Sequence, residues 1–152
     1  MHRLPVRKIM TSDVVTAGPD ELAVDAAETM ETHGIRHLPV VDDEGCLIGI
    51  VTDSDIREAE TVDSMLSSYD PQTDPRWLTV ADIMTTELVT VSPDATVGEL
   101  AAILIENKVG GAPVVEPDAA RPGRKRLAGI VTETDIFRTI AAAWKAESAG
   151  DR

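Results

Sequence analysis

A threonine followed three residues later by an aspartate occurs twice behind the same tripeptide, as Gly49-Ile50-Val51-Thr52-x-x-Asp55 and as Gly129-Ile130-Val131-Thr132-x-x-Asp135. Each stretch reads as the end of a strand running into the start of a helix, where unpaired N–H groups and the helix dipole favour negative charge. The hydroxyl of Thr52 or Thr132 can bind a phosphate oxygen at such an end. One turn later, the carboxylate of Asp55 or Asp135 can accept two hydrogen bonds from a ribose diol. The chemistry that suits this spacing is nucleotide binding. The same spacing also makes a capping box, in which the side chains satisfy only the helix's own amides. Duplication preserves a cap as readily as a ligand site, so both readings stand at this point.

The motif closes a longer repeat. Ile9-Met10-Thr11, Thr16, Pro19-Asp20 and Pro39-Val40-Val41 return 74 residues on as Ile83-Met84-Thr85, Thr90, Pro93-Asp94 and Pro113-Val114-Val115. The Gly-Ile-Val-Thr groups are 80 residues apart, so the second copy carries a six-residue insertion, and it falls within Glu116 to Arg126. Repetition on this scale predicts two similar units packed on one another, because each is too small to bury a stable core alone. The boundaries that follow are 6–60 for the first repeat, 61–79 for a connector and 80–146 for the second repeat.

The 152 residues suffice for one compact domain or two fused halves. Hydrophobic residues make up 43% of the chain and aromatics only 3%, which predicts a core of Val, Ile, Leu, Ala and Met. Twenty-seven acidic residues against fourteen basic ones give a formal charge of −13, which opposes nonspecific association with nucleic acid or an anionic membrane. The dense cationic run, Arg121, Arg124, Lys125 and Arg126, sits in the insertion and reads either as a solvated turn or as a docking loop. A single cysteine, Cys46, precludes an intramolecular disulfide or a thiolate cluster and reads as a small strand residue. With no long apolar run and no secretory start, the expected location is cytoplasmic.

The elements that must position the two motifs follow from local signals. Val6 to Met10 predicts a short helical lead-in and Val14 to Thr16 an extended segment, with Pro19-Asp20 as a turn. Ala26, Ala27 and Met30 have helical spacing in a segment from Ala23 to about His33, with Gly34 as a left-handed exit. Leu38–Val41 and Leu47–Val51 predict a hairpin around an Asp42 to Gly45 turn. A helix then opens at Thr52. In the second copy Thr96 and Glu99 form a capping box, which Leu22 cannot match, so the first helix is expected to lean on Asp20 instead. Leu100, Ala101, Ile103 and Leu104 supply that helix's buried face, and Asn107 its end. The last helix is expected over Asp135 to about Glu147, with Ile136, Ile140 and Trp144 near one face, Phe137 beside it, and a frayed tail from Ser148. Between the copies, Val62 to Leu66 suggests a helical turn in a loop-like connector that Tyr69, Trp77 and Leu78 pin to the surface.

Gly110, Gly111 and Ala112 make a small-residue opening where a flat ring can approach the backbone, whereas the first copy has Arg36, His37 and Leu38. Arg36 can neutralise phosphate and His37 can stack; Lys108, Arg57 and Arg138 are similar cationic candidates, and each is equally an ordinary surface residue. His2, His33 and His37 show no repeated ligand pattern, and neither a serine-nucleophile motif nor a Walker loop is present. No catalytic arrangement or metal site is predicted.

In order and repetition these motifs resemble those of tandem CBS-domain proteins, also called Bateman modules, over about residues 6–146. The resemblance implies an α/β (α+β) fold with two repeats of β-α-β-β-α order packed as one pseudo-twofold module, pairing as a homodimer. It implies an adenosine-containing regulatory ligand: AMP, ADP, ATP or S-adenosylmethionine. By carry-over, Thr52 and Thr132 face phosphate, and Asp55 and Asp135 hold ribose. Segments around Thr16-Ala17-Gly18, Thr90-Val91-Ser92, Ile35-Arg36-His37 and Val109-Gly110-Gly111 would approach the base. The copies differ at these segments, so unequal sites are expected, with Asp135 the stronger. Such a module would signal through a separate effector protein; the alternative is a structural dimerisation or protein-interaction module without ligand.

Overall fold

The computed structural model describes residues 1–66 and 77–150. In chain order these form a 3-10 turn at Val6–Lys8, α1 at Ala23–His33, β1 at His37–Val41, β2 at Leu47–Thr52 and α2 at Asp53–Leu66. There follow α3 at Val80–Ile83, α4 at Val97–Asn107, β3 at Gly111–Pro117, β4 at Lys125–Thr132 and α5 at Glu133–Gly150. The chain separates into two compact units, one of Met1–Val14 with Val89–Arg152 and one of Val15–Leu88.

Each unit therefore takes its lead-in from the other sequence copy. In Val15–Leu88, the Val80 N–H donates to Glu21 O at 2.8 Å, the Ala81 N–H to Pro19 O at 3.0 Å and the Ala23 N–H to Leu78 O at 2.8 Å. The other unit repeats these bonds 74 positions away: Val6 N–H to Ala95 O at 2.8 Å, Arg7 N–H to Pro93 O at 3.0 Å and Val97 N–H to Leu4 O at 2.8 Å. Val80 and Val6 are both fully buried in the cores they enter. The donors at each helix start are satisfied by an incoming backbone segment. That corrects the expectation for α1: Leu22 provides no side-chain cap, as anticipated, but the partner is Leu78 O and not Asp20. At α4 the Thr96–Glu99 capping box forms as predicted.

In each unit an antiparallel hairpin is flanked by single bridges. β1 and β2 lie between Ala17, which pairs in parallel with Val40, and Thr85, which pairs with Ile50; β3 and β4 lie likewise between Val91, paired with Val114, and Thr11, paired with Ile130. Both hairpins slip register at matching places, between Val40 and Val41 and between Val114 and Val115, where an extra residue makes a bulge. With the lone bridge counted as the first strand, each unit runs β-α-β-β-α.

One core joins Val6, Val91, Leu100, Leu104, Ala112, Val114 and Val131. The other joins Ala17, Ala26, Met30, Leu38, Val40, Val51 and Val80. Their aliphatic make-up is as the composition implies. Cys46 is buried.

Several boundaries differ from the sequence reading. α2 continues through Leu66, making the helical turn at Val62 to Leu66 part of one helix. Trp77 is 71% exposed and so does not pin the connector, although the neighbouring Leu78 does dock through its carbonyl. Tyr69 and the Ser67 to Pro71 segment lie outside the described residues. α5 starts at Glu133 and runs to Gly150, because no breaker precedes that glycine, so Ser148 to Gly150 are helical and only 151–152 lie outside the description. α4 does end with Asn107, but the left-handed residue after it is Lys108, at φ 55°, in the place that Gly34 takes at φ 62° in the first copy. The insertion is an ordered turn, in which Arg121 pairs with Asp118 at 3.1 Å and Asp118 Oδ1 accepts the Ala120 N–H at 2.9 Å.

Candidate functional site

Both Thr-x-x-Asp motifs stand where a strand becomes a helix. Strand pairing sets His37 opposite Thr52 and Gly111 opposite Thr132. The first amide of each helix donates back to the same neighbourhood, Asp53 N–H to Arg36 O at 3.1 Å and Glu133 N–H to Gly110 O at 2.9 Å. The fold thus joins Ile35-Arg36-His37 to Thr52 and Asp55 in one unit, and Val109-Gly110-Gly111 to Thr132 and Asp135 in the other.

The Thr16-Ala17 and Thr90-Val91 segments run beside the same strands but farther along. Ala17 pairs with Val40 and Val91 with Val114, three residues beyond His37 and Gly111, or about 10 Å along the strand. Ala17 and Val91 each bury their side chain. Both also use their backbone groups in the sheet: Ala17 N–H donates to Pro39 O at 3.0 Å and Ala17 O accepts Val41 N–H at 3.0 Å, while Val91 N–H donates to Pro113 O at 3.1 Å and Val91 O accepts Val115 N–H at 2.9 Å. Thr16 is exposed and Thr90 half-buried.

Hydrogen bonding within the motifs differs between copies. In the first, the Thr52 N–H donates to Asp55 Oδ2 at 2.9 Å and the Asp55 N–H to Thr52 Oγ1 at 3.2 Å, a complete capping box. In the second, Asp135 Oδ2 accepts the Thr132 N–H at 2.8 Å and the Thr132 hydroxyl at 3.3 Å. Asp135 Oδ1 lies 3.9 Å from Arg138 Nη1, and the Asp135 side chain is only 14% exposed. The carboxylate half of the capping geometry is therefore present in both copies, and the reciprocal half in the first. Each carboxylate nevertheless has more acceptor capacity than one N–H consumes.

Three participants escaped the sequence reading. Thr85 Oγ1 donates toward both Asp55 oxygens, at 3.2 and 3.3 Å. Met84 and Met10 pack onto the strand glycines, so that a Cβ on Gly49 would lie 2.5 Å from Met84 Sδ and one on Gly129 would lie 2.8 Å from Met10 Sδ. The repeated Ile-Met-Thr carried that signal, but only a chain path that pairs each lead-in with the opposite copy gives it meaning. Among the described residues no group of three or more His, Cys, Asp or Glu could hold a metal ion. None of their helices is long and apolar enough to cross a membrane.

A family model for the CBS domain matches residues 6–61 and again residues 80–142. The chain is a tandem CBS-domain protein. Among curated relatives of this CBS pair, hypoxic response protein 1 of Mycobacterium tuberculosis is 31% identical over 134 residues, covering 88% of this chain and 83% of the relative. Inosine-5'-monophosphate dehydrogenase of Methanocaldococcus jannaschii is 30% identical over 131 residues, 86% of this chain but 22% of the enzyme. The chain likewise spans 22% of an L-aspartate semialdehyde sulfurtransferase from the same organism. Among solved structures, the CBS domain pair of protein MJ0100, in complex with 5'-methylthioadenosine and S-adenosyl-L-methionine, superposes with a TM-score of 0.73 at 29% identity, covering 91% of this chain and 97% of that one. CBSX2 in complex with AMP gives a TM-score of 0.74 at 26% identity, with coverages of 92% and 98%.

Proposed function

We propose that this CBS pair is a regulatory module that binds an adenosine-containing ligand at its helix starts and conveys occupancy to an effector protein. The observation that carries the reading is Asp135. Its carboxylate stands at the head of α5, just after Thr132, which pairs with Gly111, and its Oδ1 accepts no hydrogen bond among the described residues. A ribose hydroxyl can donate there while Oδ2 keeps its capping role. Thr132 faces phosphate, Val109-Gly110-Gly111 admits the base, and Thr90-Val91 borders it. Asp55, Thr52, Ile35, Arg36, His37, Thr16 and Ala17 are the counterparts in the other unit. Support comes from the similar CBS pairs whose structures hold 5'-methylthioadenosine, S-adenosylmethionine or AMP. AMP, ADP, ATP and S-adenosylmethionine all carry the required diol. Signalling to an effector is limited by the ligand's differential affinity for the conformations it selects.

The test is thermal unfolding of protein refolded free of copurified ligand, with adenine nucleotides, guanine nucleotides and S-adenosylmethionine in parallel. A ligand bound at a hundred times its Kd adds about 2.7 kcal/mol. A rise in Tm confined to adenosine-containing ligands supports the proposal, and an unchanged Tm with all of them rejects it.

One observation favours a self-associating module as well. Phe137, Ile140 and Trp144 on α5 are 62%, 47% and 65% exposed and share one side of the helix. Such a face fits a homodimer interface. Native mass measurement should find a dimer for the parent and a monomer for Trp144→Glu; a monomeric parent would eliminate this reading.

A further inference from the structure

The two helix-start aspartates are engaged differently, although the Gly-Ile-Val-Thr-x-x-Asp-Ile stretch that carries them is the same in both copies. The Thr85 hydroxyl sits 3.2 Å from Asp55 Oδ1 and 3.3 Å from Oδ2. A hydroxyl has one proton to donate, but a group so nearly equidistant from both oxygens stands where the two hydroxyls of a cis-diol would approach. Thr11 is delivered to the corresponding place by the same backbone pairing, its N–H donating to Ile130 O at 2.9 Å as the Thr85 N–H donates to Ile50 O at 2.8 Å. Even so, the Asp135 carboxylate accepts hydrogen bonds only from Thr132, through its N–H and its hydroxyl, among the described residues. One sequence difference lies three residues beyond the aspartate. Arg138 stands 3.9 Å from Asp135 Oδ1, whereas the equivalent position in the first copy is Glu58, an anion that cannot draw Asp55 outward.

We infer that Thr85 is an intramolecular competitor for sugar hydroxyls at Asp55, so that this site takes a ribose only when the lead-in hydroxyl rotates away, while Asp135 receives one directly. The inference rests on the nucleotide reading above and adds to it a residue that sets the order of filling. It also links occupancy to the lead-in, because Thr85 is hydrogen-bonded to β2 through both of its backbone groups, with the Ile50 N–H donating to Thr85 O at 3.0 Å. A ligand on Asp55 thereby frees a side chain on the segment that follows α3.

Calorimetric titration of AMP into the parent, Thr85→Val, Thr85→Ser and Thr85→Val/Asp55→Ala tests this. Valine keeps the shape and the strand pairing without the hydroxyl, and Thr85→Ala replaces it should Thr85→Val not fold. Removing the competing donor should tighten the weaker site about tenfold, the equivalent of about 1.4 kcal/mol. Serine should leave both sites at parental affinity, and the double variant should lose the gain. A weaker site unchanged in Thr85→Val, with the stronger site still binding, would overturn the inference and leave the nucleotide reading intact. No binding by any form, parent included, would overturn both.

Discussion

Gly129 and Met10, 119 positions apart in the chain, are in such close contact that a methyl group on Gly129 would lie 2.8 Å from both Met10 Sδ and the Thr11 carbonyl oxygen. Its counterpart Gly49 faces Met84 Sδ at 2.5 Å, yet the backbone oxygen of Thr85 is 3.3 Å away. In one copy the obstacle includes backbone that cannot yield; in the other it is chiefly the end of a flexible side chain. Gly129→Ala should therefore cost about 2–3 kcal/mol and Gly49→Ala about 1 kcal/mol, since overpacking is expensive only where neighbours cannot move. Urea unfolding of the two variants checks the order.

Lys108 occupies the left-handed exit of α4 that Gly34 occupies after α1. A side chain there has a Cβ penalty that glycine escapes, partly offset by glycine's freer unfolded state. Lys108→Gly should raise stability by a net ~0.5 kcal/mol, measured by urea midpoint. Gly34→Lys should lower it.

At α3, Asp82 Oδ2 accepts the Thr79 N–H at 2.8 Å and the Thr79 hydroxyl at 3.0 Å. The backbone bond first, and the hydroxyl second, hold the Asp82 carboxyl below the usual aspartate range. A carboxyl depressed on folding contributes stability above its unfolded pKa and loses that contribution as pH falls through the folded value. The gap in Tm between parent and Asp82→Asn should be present at pH 6 and should close as pH drops below about 4. A constant gap down to pH 2.5 would refute the assignment.

Asp135→Ala should abolish much of the proposed ribose recognition at its site and cost about 1 kcal/mol of stability through the lost helix-start bonds. Asp55→Ala should have a smaller effect on AMP binding, because Thr85 already occupies that carboxylate. Calorimetry with AMP reads both. Binding as tight as the parent in each variant would remove the sugar contacts from the model of function.

Much of this could be read from residue order alone. Val, Ile and Leu in short runs, Gly34 after an amphipathic segment, and Thr96 with Glu99 specify hairpins and helices through contacts a few residues apart, and the structure places them accordingly. Local spacing also located Thr52, Asp55, Thr132 and Asp135 at helix starts. It could not say which copy each lead-in serves. Leu78 docks on Ala23, and Leu4 on Val97, through backbone hydrogen bonds that leave no side-chain signature. Nor could spacing distinguish two identical Thr-x-x-Asp motifs. The sign of one side chain, Arg138 against Glu58, is a local difference within the helix, but the direction of one hydroxyl, Thr85, acts on Asp55 only once distant segments share a surface. Short-range periodicity encodes elements because their bonds are local; the state of each carboxylate depends on donors brought in by the folded chain.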